Sequence, residues 1–522
     1  MTRPNLNKVI LSVCIILIIS ISYRDQIYHL LMSHTTQTRL VIYDVISDDA
    51  FYYLKIAEHI LNDSTSTFDG FTLTNGYQPL WMLILLGVGV FLKVDTIGYA
   101  ILMLAIVILI LLTGTYYFHR LRKELLGGDS NYTAAILYFF STLFISRNGM
   151  EVCLLFLLIP LFFLQLYKLE KKTDNLSYFW LGLLISILIL SRLDAVLFVF
   201  LTLVLFVLVK WRQHTRLPSL KNIGSIFIGL IPFIAYMIYN LVIFGNLIPI
   251  SGRAKSLHID GLMISQTGLN SLYDSLTHEP YLLLFSLFTL AALIITAFYF
   301  IRKTSFKNMV FFSTMIYPVL FFTYYLVTSD WPFWLWYYYP LAISFSFAYV
   351  FFEELIVFRY PNTMRIYKYS LIGIFLMLVV LFGLKWRSVR SQFIPNSILE
   401  AAIQIEGFSN NHPGIYAMGD RAGAVSFLMI NPLIQSEGLV ADNGMLNSIK
   451  AQKNLMDVFH KYSVNYYIAT DPEFSDGCWI VQEPRIPGKN APRMRAILCQ
   501  PPVFTFTATL DDVTTMVFQI EK

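Results

Sequence analysis

The 522-residue chain is 56% hydrophobic, only 14% of its residues are charged, and its mean hydropathy is +0.61. About a quarter of the residues of a soluble domain are charged, so this composition excludes an ordinary soluble protein. The net charge of +5 does not indicate a nucleic-acid partner, because Lys and Arg cluster in short segments between apolar runs, as in the cytoplasmic loops of membrane proteins.

Most of the apolar runs have about the 20 residues that a helix needs to cross a hydrocarbon core of roughly 30 Å. Since a spanning segment must satisfy its own backbone hydrogen bonds, we expect an all-α polytopic bundle in the bilayer. We expect external juxtamembrane helices and a C-terminal external α/β domain in addition. The predicted spans number about eleven and cover residues 9–23, 97–118, 131–146, 152–169, 178–190, 195–210, 222–244, 281–301, 308–328, 340–357 and 368–385.

The first external loop, residues 24–96, contains a short apolar run at 80–92. Whether this run crosses the membrane decides on which side every later loop lies. If this run does not span, the later basic clusters lie on the side of the N-terminus. If it did span, those clusters would be external, against the positive-inside rule. We therefore interpret 80–92 as a re-entrant or interfacial helix. We predict a multi-pass plasma-membrane protein with a cytoplasmic N-terminus.

The same loop contains a pair of carboxylates at the start of an apparent amphipathic helix. Ser47 is the candidate N-cap, and Asp48 and Asp49 would occupy the first turn, where acids stabilise a helix. Capping does not by itself account for a carboxylate pair at a membrane surface beside a bundle. There, partly desolvated carboxylates can act as a general base or bind a divalent cation. From spacing alone, both interpretations stay open.

The residues around this pair form a longer pattern: DDAFYYLKIA at 48–57, FDG at 68–70 and TNGYQPLW at 74–81. This pattern resembles the first-loop signature of the GT-C superfamily of membrane glycosyltransferases. That superfamily includes protein O-mannosyltransferases, the aminoarabinose transferases that modify lipid A, and the catalytic subunit of oligosaccharyltransferase. The resemblance implies an active site built on the acidic motif, and a sugar donor carried on a polyprenyl phosphate or pyrophosphate.

Within the pattern, the resemblance makes Asp48 and Asp49 the catalytic candidates. The substrate-binding candidates in the same loop are Lys55, Asn75, Tyr77 and Gln78. Many relatives carry His where this chain has Gln78. Gln donates and accepts hydrogen bonds but carries no charge at neutral pH, which puts a charged role for this position in doubt.

Two later junctions between spans hold further candidates. Arg147 and Glu151 lie between the third and fourth predicted spans, where the resemblance implies a second acidic position. Glu151 is therefore a third catalytic candidate, since an acid near the membrane is costly to keep without a role. Arg192 and Asp194 form the next external junction, either as a local ion pair or as substrate-binding residues.

The loop at 240–255 resembles the loop that follows the seventh span in the superfamily. Its Arg253 and Lys255 are candidates for binding the donor phosphate, although a basic pair that reaches to lipid headgroups has the same appearance. An aromatic cluster at 331–340 supplies the last candidates, either as an interfacial belt or as a wall against which a sugar stacks. They are Trp336, Tyr337 and Tyr338.

The tail from residue 386 onward is less apolar and forms the predicted α/β domain, 386–522, after a membrane domain of 1–385. We predict strands at 414–418, 466–469, 503–507 and 515–520. The segment 418–424 is interpreted as a tight strand-to-helix turn rather than a nucleotide-binding loop. Cys478 and Cys499 would pair in an oxidising compartment, and the sequence leaves this open.

The resemblance implies an inverting transfer in which Asp48 or Asp49 deprotonates an acceptor hydroxyl. The expected partners are the bilayer, a polyprenyl-phosphate sugar and an extracytoplasmic glycolipid, polysaccharide or protein; no nucleic acid is expected. The cofactor is left unknown, with a divalent cation on the aspartate pair as one alternative. The main rival interpretation is a transporter or lipid-linked-sugar flippase, and the next is an assembly factor acting through its external domain.

Overall fold

The computed structural model describes residues 6–23, 26, 37–92, 96–127, 132–172, 174–214, 218–359, 373 and 395–521. The helices of the first 359 residues are α1 (Leu6–Ser22), α2 (Gln37–Tyr43), α3 (Asp48–Asp63), α4 (Pro79–Leu92), α5 (Thr96–Leu126), α6 (Thr133–Ser146), α7 (Cys153–Lys171), α8 (Asn175–Ser191), α9 (Ala195–Arg212), α10 (Leu220–Gly229), α11 (Ile231–Phe244), α12 (Ile250–Lys255), α13 (Gln266–His278), α14 (Pro280–Arg302), α15 (Phe306–Thr328) and α16 (Tyr339–Arg359). A short 3-10 turn, Leu335–Tyr338, precedes α16.

Six of the described helical segments are long and apolar enough to cross a membrane: Ile97–Leu126, Cys153–Lys171, Ala195–Arg212, Pro280–Arg302, Phe306–Thr328 and Leu335–Ile356. The predicted span 222–244 is instead a broken pair, because α10 and α11 meet at 53°; counted as one span, the pair makes seven. The other apolar helices, α1, α4, α6 and α8, are shorter. The predicted number of about eleven spans is therefore not confirmed, and the predicted span 368–385 lies outside the described residues.

Glycines allow two of these helices to approach closely. A Cβ atom on Gly182 of α8 would collide with the backbone of Ile226 in α10, and one on Gly229 would collide with the backbone of α8. Small residues at such crossings let helix backbones come together in lipid, where packing rather than the hydrophobic effect drives association.

A buried ion pair joins α5 to α16. Arg122 donates to Glu353 through Nε at 2.9 Å and through Nη2 at 2.7 Å, and the two side chains are 5% and 0% exposed. Arg122 belongs to a basic cluster that the sequence assigned to an inter-helix loop. It lies inside α5, which extends beyond the predicted span 97–118, and Glu353 compensates its buried charge.

The first loop contains α2, α3 and α4. Ser47 precedes α3 in extended conformation, and Asp48 and Asp49 occupy the first turn, as predicted. Ser47 is the N-cap residue, as predicted, but its hydroxyl makes no cap hydrogen bond and instead donates to the Asn148 carbonyl at 3.4 Å. The predicted 80–92 helix is present as α4, which packs against α3.

The C-terminal domain, from Ser397 onward, combines two sheets with short helices. Its elements are α17 (Ser397–Ser409), β1 (Tyr416–Met418), α18 (Ala422–Leu428), β2 (Leu433–Gln435), α19 (Asn443–Lys450), α20 (Leu455–Lys461), β3 (Tyr466–Thr470), β4 (Glu473–Ser475), β5 (Cys478–Glu483), β6 (Met494–Leu498), β7 (Phe504–Thr507) and β8 (Thr514–Gln519). The first sheet has the order β2-β1-β3-β8-β7, with β1 parallel to β2 and β3, and β8 antiparallel to β3 and β7. The second is an antiparallel β4-β5-β6 sheet.

Four of these strands, β1, β3, β7 and β8, lie where the sequence predicted them, whereas β2, β4, β5 and β6 were not predicted. The segment 418–424 is the predicted strand-to-helix turn, and it joins β1 to α18 through Arg421 at a φ of 67°. Cys478 and Cys499 form a disulfide that joins the start of β5 to the residue after β6.

Candidate active site

The carboxylate pair at the start of α3 is held between the bundle and the C-terminal domain. Phe51, one turn along α3, packs with its ring centroid 5.1 Å from that of Phe427 in α18, and Tyr43 packs edge-on against both rings. Ala50, Leu54, Ile56 and Ala57 of α3 are fully buried. This packing fixes the rotation of α3 and thereby the directions of its first two carboxylates.

Asp48 joins the two parts of the molecule. Its Oδ2 accepts the backbone N–H of Gly423 at 3.1 Å, and its Oδ1 accepts that of Ala424 at 2.8 Å, both in the first turn of α18. Burial raises the pKa of Asp48 to about 7, against the effect of these two N–H groups, and Asp49 adds to the rise. Both oxygens of Asp48 are therefore engaged in holding the C-terminal domain against α3.

Asp49 faces open space. Its side chain lines two adjoining cavities together with Tyr52, Lys255 and Trp336, whereas Asp48 lines only one of the two. Burial raises the pKa of Asp49, while Lys255 and, less strongly, Arg192 lower it and Asp420 raises it. A carboxylate with a raised pKa at the wall of a cavity is suited to accept a proton from a bound hydroxyl.

Glu151 belongs to a buried network of charges centred on Arg192. Arg192 donates to Glu151 at 2.6 Å and to Asp194 at 2.6 Å, and Tyr53 donates its hydroxyl to Glu151 at 3.1 Å. Burial raises the pKa of Glu151, and Arg192 lowers it. The local Arg192–Asp194 ion pair is therefore present, and it is extended to an acid 41 residues away in the sequence.

Two aromatic hydroxyls complete this network on the side of Asp194. Tyr325 donates to Asp194 at 2.8 Å, and Tyr339 donates to it at 3.3 Å. The guanidinium of Arg192 also lies 5.5 Å from the ring centroid of Tyr337. Because both carboxylates are hydrogen-bonded in this way, the network holds the side chains of Glu151, Arg192 and Asp194 in fixed positions.

Lys255 is the cation that lies between all of the cavities of the site. Its Nζ donates to the Tyr337 hydroxyl at 3.0 Å and lies 5.9 Å from the ring centroid of Trp331. The three cavities that it lines have volumes of about 410, 70 and 300 Å³, and we call them the inner, central and outer cavities.

The inner cavity is mostly apolar and lies between α8, α9, α11 and α15, as Ile189, Leu197, Phe233 and Tyr325 of its lining indicate. It shares Gln78, Arg192, Lys255 and Tyr337 with the central cavity. The central cavity in turn shares Asp49, Tyr52, Lys255, Trp336 and Leu439 with the outer cavity. Together they form a series that runs from an apolar chamber among the helices, past a small polar chamber at Asp49, to a chamber lined by tryptophans and charged side chains under the C-terminal domain.

Several of the predicted site residues line this series. Tyr77 and Gln78 line the central cavity, as do Trp336, Tyr337 and Glu151. The side-chain oxygen of Gln78 accepts the backbone N–H of Leu193 at 3.3 Å. At this position the chain thus uses a neutral hydrogen-bond acceptor.

Three predicted residues lie outside the lining of the three cavities. Lys55 forms an ion pair with Glu58 at 3.2 Å, one turn along the same helix. The guanidinium of Arg147 lies 5.4 Å from the Phe144 ring centroid. The Tyr338 hydroxyl points to the Ser271 carbonyl at 3.5 Å.

Two further predicted residues hold neighbouring segments together instead of lining a cavity. Asn75 donates to Asn240 at 3.2 Å and accepts the backbone N–H of Ile250 at 3.0 Å, so it ties the first loop to the start of α12. Arg253 donates to Asn443 of the C-terminal domain at 2.6 Å. On the short helix α12, Lys255 turns toward the cavities while Arg253 turns toward the domain.

The sequence missed the residues that the C-terminal domain contributes. The outer cavity is lined on this side by Asp420, Arg421, Glu437 and Arg485. Asp420 and Arg421 lie in the strand-to-helix turn that was interpreted as structural, and no spacing signal links them to Asp49. Tyr52 and Tyr53, in contrast, lie within the acidic motif itself, so their position could have suggested a role.

A divalent cation on the aspartate pair stays a prediction. Both oxygens of Asp48 already accept backbone N–H groups, which leaves Asp49 as the free carboxylate of the pair. Elsewhere in the described ranges, no group of three or more His, Cys, Asp or Glu side chains is arranged to hold an ion.

No protein-family model matches the chain, and no curated protein matches it by sequence. Its fold is similar to that of the oligosaccharyltransferase of Archaeoglobus fulgidus in the apo form, at 13% identity and a TM-score of 0.53 over 89% of this chain and 69% of that one. The same archaeal protein tethered to an acceptor peptide with the NVT sequon gives 14% identity and a TM-score of 0.51 over 90% and 69%. ArnT from Cupriavidus metallidurans, in the apo state, gives 11% identity and a TM-score of 0.49 over 83% and 90%.

At such low identity the likeness concerns the backbone arrangement, and neither activity nor residue roles follow from it. It does extend over most of the chain, including both the helical bundle and the C-terminal domain. The structural neighbours are GT-C membrane glycosyltransferases, and the chain shares the fold of the archaeal oligosaccharyltransferase over nearly its whole length.

Proposed function

We propose that this protein is a membrane glycosyltransferase that moves a sugar from a polyprenyl-phosphate donor to a hydroxyl of an extracytoplasmic acceptor, with inversion at the anomeric carbon. The observation that carries the proposal is the position of Asp49 and Lys255. Both line the small polar central cavity of about 70 Å³, which shares lining residues with the apolar inner cavity and with the outer cavity under the C-terminal domain. A base and a cation at this junction suit an acceptor arriving from one side and a lipid phosphate from the other.

The inner cavity is the proposed donor site. Its apolar walls suit the isoprenoid part of the donor. Lys255 and Ser251, both on α12, contribute polar groups to its lining. Arg192 also lines this cavity, but its guanidinium is shared by Glu151 and Asp194. Lys255 is therefore the cation that we assign to the donor phosphate, as a charge-assisted hydrogen-bond donor. Arg253, which points to the C-terminal domain, has no part in this site.

The proposed reaction is a single displacement. Asp49 accepts the proton of the acceptor hydroxyl while the hydroxyl oxygen forms a bond to the anomeric carbon of the donor sugar. The bond from that carbon to the phosphate oxygen breaks at the same time, and polyprenyl phosphate leaves with the electron pair. Its negative charge is stabilised by Lys255, so no general acid is needed.

The C-terminal domain supports this chemistry by covering the central cavity. Leu439 and Val440, between β2 and α19, line that cavity, and a Cβ atom on Gly76 of the first loop would clash with them. This close contact keeps bulk water from the anomeric carbon, which protects the donor from hydrolysis. We place this arrangement on the extracytoplasmic side of the plasma membrane, with the N-terminus in the cytoplasm.

The proposal is tested by measuring donor cleavage and sugar transfer with the purified full-length protein in detergent. A panel of polyprenyl-phosphate sugars would be incubated with wild type and with Asp49→Asn, which keeps the shape of the side chain but cannot accept the proton. We expect Asp49→Asn to lower turnover by about 10²–10⁴-fold, the usual contribution of a general base. The matched control is Asp63→Asn, the same substitution at an exposed position at the end of the same helix.

Asp48→Asn would be measured beside it. Because Asp48 holds the C-terminal domain, we expect this variant to lower thermal stability as well as activity, whereas Asp49→Asn lowers activity alone. Turnover that persists in Asp49→Asn would remove this carboxylate from the mechanism and make Glu151 the next candidate.

A further inference from the structure

The outer cavity has one wall of indole rings. Trp331, Trp334 and Trp336 all line it, and they come from a single segment of six residues ahead of α16. The rings of Trp334 and Trp336 are stacked, with centroids 6.2 Å apart and planes at 21°. Trp331 and Trp336 are buried, whereas Trp334 is 40% exposed. The cavity therefore has a flat apolar wall with one ring accessible from solvent.

The C-terminal domain contributes charged side chains to the lining of the same cavity. Arg485 donates to Asp420 at 3.1 Å, so these two groups hold each other in place. Glu437 lines the same cavity and is 4% exposed. Its Oε2 accepts from Gln435 at 3.3 Å, but its Oε1 has no hydrogen-bond partner among the described residues.

The unsatisfied oxygen of Glu437 is informative because a buried carboxylate oxygen normally has a partner. Leaving such an atom unpaired costs more free energy than a neutral polar group would, so a bound donor group would be favoured at this position. Burial raises the pKa of Glu437, and Asp420 and Glu483 raise it further. A ligand hydroxyl would give this oxygen a hydrogen-bond partner, since the hydroxyl can donate to the ionised carboxylate of Glu437 or accept from its protonated form.

The two sets of side chains together match the chemistry of a saccharide. A sugar ring presents a face of C–H groups, which packs on an indole ring, and a rim of hydroxyls, each of which donates and accepts. The rim meets both kinds of partner here, carboxylate acceptors in Asp420 and Glu437 and a guanidinium donor in Arg485. The volume of about 300 Å³ is at the lower end of small-molecule sites, room for a terminal sugar rather than a folded segment.

Resting on the function proposed above, we infer that the acceptor is a saccharide, bound in the outer cavity between the Trp334–Trp336 stack and Glu437. One of its hydroxyls reaches Asp49, which lines both the outer and the central cavity. The enzyme then extends a glycan or the sugar headgroup of a glycolipid, and it does not modify a peptide side chain. The archaeal protein of the same fold, in contrast, has been tethered to an acceptor peptide.

The first arm of the test measures binding without requiring turnover. Methyl glycosides of hexoses, pentoses and amino sugars, and short Ser, Thr and Asn peptides as a comparison, would be titrated against the full-length protein in detergent. Saturation-transfer NMR detects weak binding of such small probes. Trp334→Ala removes an accessible ring without opening the core, and Glu437→Gln keeps the shape of the side chain. Trp211→Ala is the matched control, because Trp211 is 64% exposed at the end of α9 and lines none of the three cavities.

We expect at least one saccharide to bind wild type and Trp211→Ala equally and to bind Trp334→Ala about tenfold more weakly, the loss of one aromatic contact. Glu437→Gln should weaken binding of the same saccharide. Absence of saccharide binding to wild type, or equal binding to Trp334→Ala and Trp211→Ala, would overturn the assignment.

The second arm adds the same probes to the donor-cleavage assay and separates this inference from the proposed function. Faster donor cleavage in the presence of the saccharide, with the donor sugar found attached to that saccharide, supports both the transfer reaction and the saccharide acceptor. Faster cleavage with a peptide and not with any saccharide overturns the acceptor class and leaves the glycosyltransferase standing. Saccharide binding that depends on Trp334, with no cleavage of any donor, would leave the saccharide site standing and contradict the transfer reaction.

Discussion

Asp48 and Asp49 are neighbours in the first turn of α3, but their carboxylates have different surroundings. Successive side chains of a helix point in directions about 100° apart, since a turn takes about 3.6 residues. Asp48 therefore reaches the N–H groups of Gly423 and Ala424, while Asp49 reaches the cavities near Lys255. A pattern of two adjacent acids predicts the site, and only the packing of α3 separates a supporting residue from a candidate base.

The environment of Asp49 predicts the pH dependence of activity. Asp49 must be ionised to accept a proton, so activity falls as the pH drops through its pKa. Burial raises that pKa, Lys255 and Arg192 lower it, and Asp420 raises it. Lys255→Met removes the largest lowering influence, so we expect the acidic limb of the kcat/KM profile to move to higher pH.

The position of the limb, rather than the size of kcat/KM, is the readout, because Lys255 is also assigned to the donor phosphate. Lys55→Met serves as the control, since Lys55 is paired with Glu58 and lines none of the cavities. A limb that stays in place in Lys255→Met would mean that Asp49 is not the group that titrates.

At the scale of elements, the site depends on the contact between α3 and α18. The start of α18 comes so close to α3 that Gly423 has no room for a side chain. A Cβ atom there would collide with the backbone oxygen of Asp48 and lie 3.0 Å from its Cγ. The amphipathic pattern of α3 and the strand-to-helix turn before α18 are both readable in the sequence. Their contact is not, because the two helices are separated by more than 350 residues.

Gly423→Ala tests this contact. Alanine would push the two helices apart at a point where backbone atoms, not flexible side chains, meet. We expect an overpacking cost of about 1–3 kcal/mol, seen as a lower melting temperature, together with a loss of transfer activity. Gly407→Ala is the matched control, because Gly407 is exposed in α17 and has open space around its Cβ position.

In the control, the better helix propensity of alanine should leave stability unchanged or raise it by about 1 kcal/mol. Both melting temperatures are measurable by intrinsic fluorescence in detergent. Equal behaviour of the two variants would show that the approach of α18 to α3 is not needed for the folded state.

At the scale of the whole molecule, the bundle and the C-terminal domain form one site. The bundle supplies Asp49, Lys255 and the tryptophans, and the domain supplies Glu437 and the cover over the central cavity. The catalytic centre proposed at this junction requires the domain to lie on the same side of the membrane as the loop that contains α3. The positive-inside pattern predicts that this side is extracytoplasmic.

Two matched cysteine variants test that topology in intact cells. Lys453→Cys lies on the exposed surface of the C-terminal domain, and Lys172→Cys lies just after α7, in a predicted cytoplasmic loop. The native Cys14 and Cys153 would be replaced by Ser first, because they are the free thiols of the described residues. We expect a membrane-impermeant maleimide to label Lys453→Cys, and to label Lys172→Cys only after the cells are permeabilised. The reverse pattern would invert the predicted orientation.

The sequence by itself determined that the chain is a helical membrane protein with a mixed C-terminal domain. It also determined that the acidic motif of the first loop begins a helix, and the resemblance of this motif predicted a fold that the archaeal oligosaccharyltransferase shares. These features are encoded locally, in apolar runs, charge clusters and turn residues. The tertiary structure decided which carboxylate is held by α18, that Arg192 joins Glu151 to Asp194, and that Glu437 and Arg485 line the same cavity as the tryptophans. The physical reason is that burial and charge pairing depend on residues far apart in the chain, such as Asp48 and Gly423, which lie 375 positions apart.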